Sequence, residues 1–301
     1  MNAPAASRVG LQPLVLLCLA ATWLVWGSTY LAIKWALVSF PPFFQMGTRF
    51  LAAGGLLLAY CRWRGTARLP TLVQWRNALI VGVLMLVCGM GGTAFAEQSV
   101  GSGLVVAFIA VMPMMITAFN RCFGLRPARI ELAGIVIGFC GVLLLVQGAG
   151  FRASPTGLTA VTIACSGWAL GSVLSQRTLP LAPGVMGYAS EMLCGGAVLM
   201  LLSLATGEAP AWPPDRGAAL AWLYLMVFGS LIAFNAYMVL LARTSAALAS
   251  SYSFVNPIIA LLLGVALGGE VVSTQEWTAA GIVLAGVALL LWRRRSGRAA
   301  S

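Results

Sequence analysis

The chain has no histidine, a single lysine, Lys34, and only seven acidic residues among 301. Each shortage excludes some chemistry. Without histidine there is no Ser-His nucleophile pair, no imidazole metal site and no histidine proton relay. With one lysine and no G-x-x-x-x-G-K-[ST] run, nucleotide binding through a phosphate loop is excluded, so ATP is not an expected partner. The seven cysteines (Cys18, Cys61, Cys88, Cys122, Cys140, Cys165 and Cys194) are odd in number, form no C-x-x-C pair and lie mostly inside apolar runs. That fits packing thiols better than a disulfide framework or a metal centre. Charged residues make up 8% of the sequence, against about 25% in a soluble domain that must face water. An enzyme would have to work with carboxylates alone; neither enzymatic activity, cofactor nor metal is expected.

What is present is apolar. Hydrophobic residues make up 60% of the chain and the mean hydropathy is +0.95. A membrane-spanning helix takes about 20 apolar residues; ten would use about 200 and leave roughly 100 for short links and tails. The expected spans are 14–36, 44–60, 77–95, 101–119, 131–147, 156–176, 187–205, 218–240, 247–268 and 276–292. Between them fall the expected breaks, among them Pro41-Pro42, Arg126-Pro127, Pro183-Gly184 and Pro210 to Pro214. The first apolar run, Leu14 to about Val38, exceeds the roughly 7–15-residue core of a signal peptide, and no A-x-A site closes a shorter one. It is expected to remain as a helix.

Cytoplasmic loops retain Lys and Arg. With the N-terminus inside, fourteen of the 18 basic residues fall on the inner side, in groups such as Arg62 to Arg76, Arg121 to Arg129 and Arg293 to Arg298. The outer loops hold only Arg152 and Arg216, together with Glu97, Glu208, Asp215, Glu270 and Glu276. Both termini are therefore expected in the cytoplasm. The net charge of +11 is then explained by topology and contact with anionic membrane lipids, so nucleic acid is not an expected partner.

The sequence also repeats itself. Gly27-Ser28 returns as Gly171-Ser172 and Pro113 as Pro257, both at a separation of 144; Met46-Gly47 returns as Met186-Gly187, and Ala133 to Val136 as Ala280 to Val283. Halves of five helices each, an odd number, must lie upside down relative to one another. Arg126 after the fourth helix aligns with Glu270 after the ninth, as expected for loops on opposite sides. The fold class read from this is all-α integral membrane, ten transmembrane helices as two inverted five-helix repeats, with halves at 1–148 and 149–301. Inverted repeats are a common construction of secondary transporters.

The residues also resemble a known family, the EamA family of the drug/metabolite transporter superfamily, particularly its YedA/PecM-like branch. The resemblance runs nearly end to end. It rests on Trp26-Gly27-Ser28-Thr29-Tyr30, Pro41-Pro42, Arg49-Phe50, Glu97, Gly103 and Pro113 in the first half. In the second it rests on Gly171-Ser172, Glu191, Ala247, Tyr252, Pro257, Gly269-Glu270, Glu276 and Gly281. One departure is Leu125-Arg126, where many relatives have Gly-Glu. The resemblance implies a multi-pass protein of the bacterial inner membrane that exports amino acids, nucleobases, drugs or similar metabolites from a central cavity.

Several residues are candidates for that pathway. Trp23, Gly27, Tyr30 and Lys34 share one face of the first helix, which lines a cavity or, alternatively, forms a glycine-mediated seam; Lys34, near the outer end, could simply snorkel. Arg49 attracts an anionic substrate group or pairs with Glu97. Asn235, Tyr237, Tyr252 and Asn256 put polar edges into the eighth and ninth helices. Ionisable groups inside spans are costly and default to functional roles, so Glu191 and Glu97 are candidates for proton coupling, with a Glu191–Arg177 pair as the structural alternative. Pro113 and Pro257, within the fourth and ninth helices, are candidate gate or bend residues. The G-x-x-x-G pairs Gly134/Gly138, Gly167/Gly171 and Gly264/Gly268 are expected at close helix contacts. The reading is a secondary transporter; its rival is a non-transporting membrane protein, either a lipid-modifying enzyme or a sensor scaffold.

Overall fold

The computed structural model describes residues 12–65, 68–100, 105, 108–145, 154–268 and 273–296. Gly103, Arg152, Gly269 and Glu270 lie outside them, as do the surroundings of Gly264, Gly268 and Glu276. Among the described residues the fold is all helical, in ten successive rods: α1 (Pro13–Ala36), α2 (Pro42–Trp63), α3 (Leu72–Ala96), α4 (Met112–Cys122), α5 (Arg129–Leu145), α6 (Pro155–Arg177), α7 (Val185–Ala205), α8 (Arg216–Arg243), α9 (Tyr252–Gly268) and α10 (Thr274–Ser296). Five of them, α1, α3, α6, α7 and α8, are long and apolar enough to cross a membrane.

Local chemistry sets the helix starts. Pro13, Pro42 and Pro155 stand in first turns, where the missing N–H costs nothing. Thr71 and Gln74 form a reciprocal capping box on α3. Ser154 caps α6, and the Asp215 carboxylate accepts from the Gly217 and Ala218 amides at 2.8 and 3.2 Å to cap α8. The N–H groups of Phe43 and Phe44, at the start of α2, donate to the Glu208 carboxylate at 3.1 and 2.7 Å. Glu208 belongs to the α7–α8 link. The same link hydrogen-bonds to the α1–α2 turn, Ala211 N donating to Ser39 O and Asp215 N to Ser39 Oγ.

Two expected spans differ from the observed elements. The fourth is described only in part: the chain turns at Ala110-Val111, and Pro113 stands in the first turn of α4, not within a continuous helix. The ninth begins as a separate turn, Ala246–Ala249, before α9 starts at Tyr252. Serines explain that break, because their hydroxyls take over backbone partners. Ser245 Oγ accepts from Leu248 N, while Ser250 and Ser253 hydroxyls donate to the Ala246 and Ser250 carbonyls. Pro257 lies inside α9.

The middles of α3 and α8, Val83–Gly91 and Leu225–Phe234, widen into π-helix, a form that recurs at functional sites. Helix packing crosses between the sequence halves. Helix α2 packs along α7 and α5 along α10; α1 lies against α8 and α9, and α6 against α3 and α4. Glycines permit the tightest of these contacts. A Cβ on Gly134 would lie 2.9 Å from the Gly286 carbonyl oxygen, and one on Gly27 would lie 2.5 Å from Ile259 Cβ. Gly167 and Gly171 likewise meet α3, at Leu84, Met85 and Cys88. The outer surface is apolar: Leu17, Leu24, Leu201, Leu204 and Leu220 are all exposed, whereas Arg49, Glu191, Gln45 and Asn256 are buried. This is the reverse of a water-soluble distribution and suits lipid outside with polar groups within.

Candidate functional site

At the centre, side chains from α1, α2, α3, α4, α6 and α9 surround a cavity of about 40 Å³. Trp26, Thr29, Tyr30 and Ile33 come from α1, Arg49 from α2, Gly89, Met90 and Thr93 from α3, and Trp168 and Tyr252 from α6 and α9. The π-helical part of α3 thus forms one wall. The opposite wall is aromatic. Trp26 meets Tyr252 edge-on with ring centres 4.6 Å apart and Trp168 at 5.5 Å, and Tyr237 lies 5.2 Å from Trp168. Such edge-on pairs hold one another in fixed orientations. Trp26 Nε1 donates to the carbonyl of Gly229, in the π-helical part of α8. Trp168 Nε1 donates to the Tyr237 hydroxyl at 3.1 Å, and that hydroxyl is also 2.9 Å from Ser172 Oγ.

The faces seen in the sequence do not all turn inward. Tyr30 and Tyr252 line the cavity; Asn256, on α9, donates to the Tyr30 hydroxyl at 3.4 Å. Tyr237 is fully buried just behind the aromatic wall. Trp23 instead sits beside α9, its Nε1 donating to Ser251 Oγ at 3.0 Å. Gly27 is a packing contact, and the cavity face of α1 is Trp26, Thr29, Tyr30 and Ile33, one step round from the face read in the sequence. Asn235 donates to the carbonyls of Ser230 and Leu231 on its own helix, at 3.3 and 2.7 Å, satisfying acceptors of the widened turns. Trp168 and Met90 were missed. Trp168 stands three residues before Gly171-Ser172 as Trp26 stands one before Gly27-Ser28, a near-match that could have drawn attention to it.

Neither ion pair offered as a structural alternative forms. The three guanidinium nitrogens of Arg49 have no hydrogen-bond partner among the described residues, so Arg49 does not pair with Glu97. Both carboxylate oxygens of Glu191, on α7, are likewise buried without a partner, so Glu191 does not pair with Arg177. The reason is helix phase: each side chain points into the packed interior, whereas Arg177 borders clefts at one end of the bundle. Those clefts measure about 230 and 500 Å³ and are lined by Gln176, Arg177 and Thr244 among others. At the opposite end a cleft of about 700 Å³ is framed by Lys34, Pro41, Pro42, Phe95, Glu97 and Glu208. Lys34 is exposed there. Ile33 and Thr93 of the central cavity are next to and one turn from Lys34 and Glu97, so the same two helices, α1 and α3, line both spaces. All seven cysteines are free thiols, and no group of three or more potential metal ligands occurs among the described residues.

Known proteins share this architecture and sequence. One solved crystal structure superposes with a TM-score of 0.75 at 23% identity, covering 93% of this chain and 98% of the other. The chain is 43% identical over 274 residues to the uncharacterized inner membrane transporter YedA of Escherichia coli (strain K12), covering 90% of this chain and 89% of that one. It is 26% identical over 247 residues to protein PecM of Dickeya dadantii (strain 3937), 80% of each. A probable amino-acid metabolite efflux pump of Salmonella typhimurium matches at 24% over 294 residues, 92% of this chain and 94% of that one. The pattern of the EamA-like transporter family matches twice, over residues 13–147 and again over 155–292. With both halves covered, the chain belongs to the EamA-like transporter family.

Proposed function

We propose that this chain is a secondary active transporter of the bacterial inner membrane that exports small metabolites by alternating access. The observation that carries this reading is the cavity built from both sequence halves, with a cleft beyond it at either end of the bundle. A volume of about 40 Å³ holds a few waters at most, at about 10–15 Å³ each. A metabolite site of about 300 Å³ or more therefore requires the aromatic wall to move. Trp26, Tyr30, Arg49, Trp168, Tyr252 and Asn256 are the residues proposed to meet cargo, and Lys34 with Glu97 to border the outer mouth. Transport is tested with pure protein in liposomes. Cargo-dependent efflux above protein-free liposomes is expected for at least one member of a panel of labelled amino acids, apolar carboxylates, nucleobases and cationic drugs; no flux for any of them would count against the proposal.

Two inverted five-helix halves, 1–148 and 149–301, supply the two states. Three observations support the repeat. The family pattern matches each half once, the third rod of each half widens at its middle, and helix contacts exchange when each helix is replaced by the one five later (α1 on α9, α6 on α4). In this arrangement each half-fold supplies one gate. Both termini lie in the cytoplasm and the Glu208–Asp215 link outside. In a cysteine-free background, Trp212→Cys is expected to react with an impermeant maleimide in intact cells, and Arg64→Cys only after permeabilisation. Labelling in the opposite order would invert the orientation.

A further inference from the structure

Arg49 is 1% exposed, lines the central cavity and has no hydrogen-bond partner among the described residues for any guanidinium nitrogen. Its guanidinium carries a permanent charge, and a buried, unpaired charge within a membrane protein marks a site awaiting a counter-charge. Its contact with the Phe50 ring, at 4.7 Å, is no substitute for a two-toothed anion. One turn nearer the helix start, Gln45 is also 1% exposed, and both polar atoms of its amide lack partners among the described residues. No acidic side chain stands among the described residues lining the cavity, while Thr29, Tyr30 and Thr93 bring hydroxyls and Trp26, Trp168 and Tyr252 bring aromatic surface.

We infer that Arg49 is the specificity residue for a carboxylate on the cargo, and that the cargo is an organic monoanion with an apolar body. This rests on the transport reading above. A carboxylate matches the fork of one guanidinium in shape and charge. A phosphate monoester would bring nearly two negative charges to a single cation, and an amine would find no acid on these walls. The apolar body lies against the aromatic wall. Lys34 adds positive charge at the mouth, but Glu97 and Glu208 share that cleft, so selection takes place at Arg49.

Matched probes test this: 3-phenylpropionate, its amide and 3-phenylpropylamine, with butyrate, butyramide and butylamine as a smaller set. Each is assayed by shift of melting temperature in detergent and by counterflow in proteoliposomes. The carboxylates are expected to be favoured over their amides by about tenfold, the scale of one net charge-assisted hydrogen bond. Arg49→Met is expected to erase that preference and to raise the melting temperature of the empty protein, because it removes an unpaired buried charge. Arg49→Lys should keep a reduced preference. Equal or reversed preference in the wild type, or a preference that survives Arg49→Met, overturns the inference. If Arg49→Met does not accumulate, Arg49→Gln carries the same comparison; if neither neutral variant folds, Arg49 is structural and the inference fails. Stabilisation by carboxylates without flux would leave the site standing and sink the transport reading, whereas flux of amides or amines alone would do the reverse.

Discussion

Glu191→Gln is expected to reduce pH-gradient-driven transport to the level of protein-free vesicles while leaving cargo exchange in place. Glu191 is fully buried on α7, with both oxygens unpartnered. An ion in that setting is expensive, so the neutral acid is the form that suits this conformation. Proton coupling requires a group that gives up its proton when the conformation changes, and glutamine copies the neutral form but cannot release one. Among the other acids, Glu208 and Asp215 are engaged at helix starts; Glu97 has one buried oxygen without a partner among the described residues but borders the open cleft beside Lys34, whereas Glu191 is wholly buried. The measurement pairs two assays on one reconstituted sample, with and without a pH gradient. Undiminished accumulation would remove Glu191 from coupling; loss of exchange as well would make it a structural group.

Gly286→Leu is expected to abolish accumulation of folded protein. A Cβ at this position would lie 2.6 Å from the Gly138 nitrogen and 2.8 Å from the Gly134 carbonyl oxygen. Both are backbone atoms of α5, so no rotamer change relieves the clash, and α10 must separate from α5. Overpacking costs about 1–3 kcal/mol for added methylenes in a core; a whole leucine against backbone exceeds that, and even Gly286→Ala should melt earlier. Gly281 provides the control on the same helix, with no described residue within 4 Å of its Cβ position. Gly281→Ala should be neutral or stabilising by up to about 1 kcal/mol, through helix propensity alone. Size-exclusion profiles and melting curves after extraction report both. Equal behaviour of the two alanine variants would refute the close crossing.

The rods were legible because membrane composition marks them clearly: prolines, arginine clusters and apolar runs placed most helix ends within a few residues of those observed. Which face of a rod turns inward was much less legible. In α1 nearly every residue is apolar or aromatic, so Trp23 and Trp26 look equivalent until α9 and α6 are in place; then Trp23 meets Ser251 and Trp26 faces the cavity. Polar residues were better guides. Tyr30, Arg49 and Tyr252 reach the centre, and Asn256 reaches Tyr30, because a polar side chain in an apolar rod avoids lipid. The Arg49–Glu97 and Glu191–Arg177 pairs, each the alternative to a functional role, do not form, because rotation about each helix axis, and not position along it alone, decides which side chains meet. Asn235 shows a further limit. Its partners are carbonyls freed by a π-helical stretch that hydropathy does not reveal.

The crossing of contacts between sequence halves has a consequence for synthesis. Helix α2 ends at Trp63 and its main partner α7 is complete only at Ala205. At about 5–20 residues per second, the ribosome takes roughly 7 to 28 seconds to cover that distance. Throughout that interval the face of α2 that α7 covers, and the Arg49 side chain that the finished fold buries, stand beside an unfinished chain. Helix α5, complete at Leu145, waits similarly for α10, which starts only at Thr274. The first five helices therefore lack packing partners that belong to the second half, and these contacts close only once both halves are present.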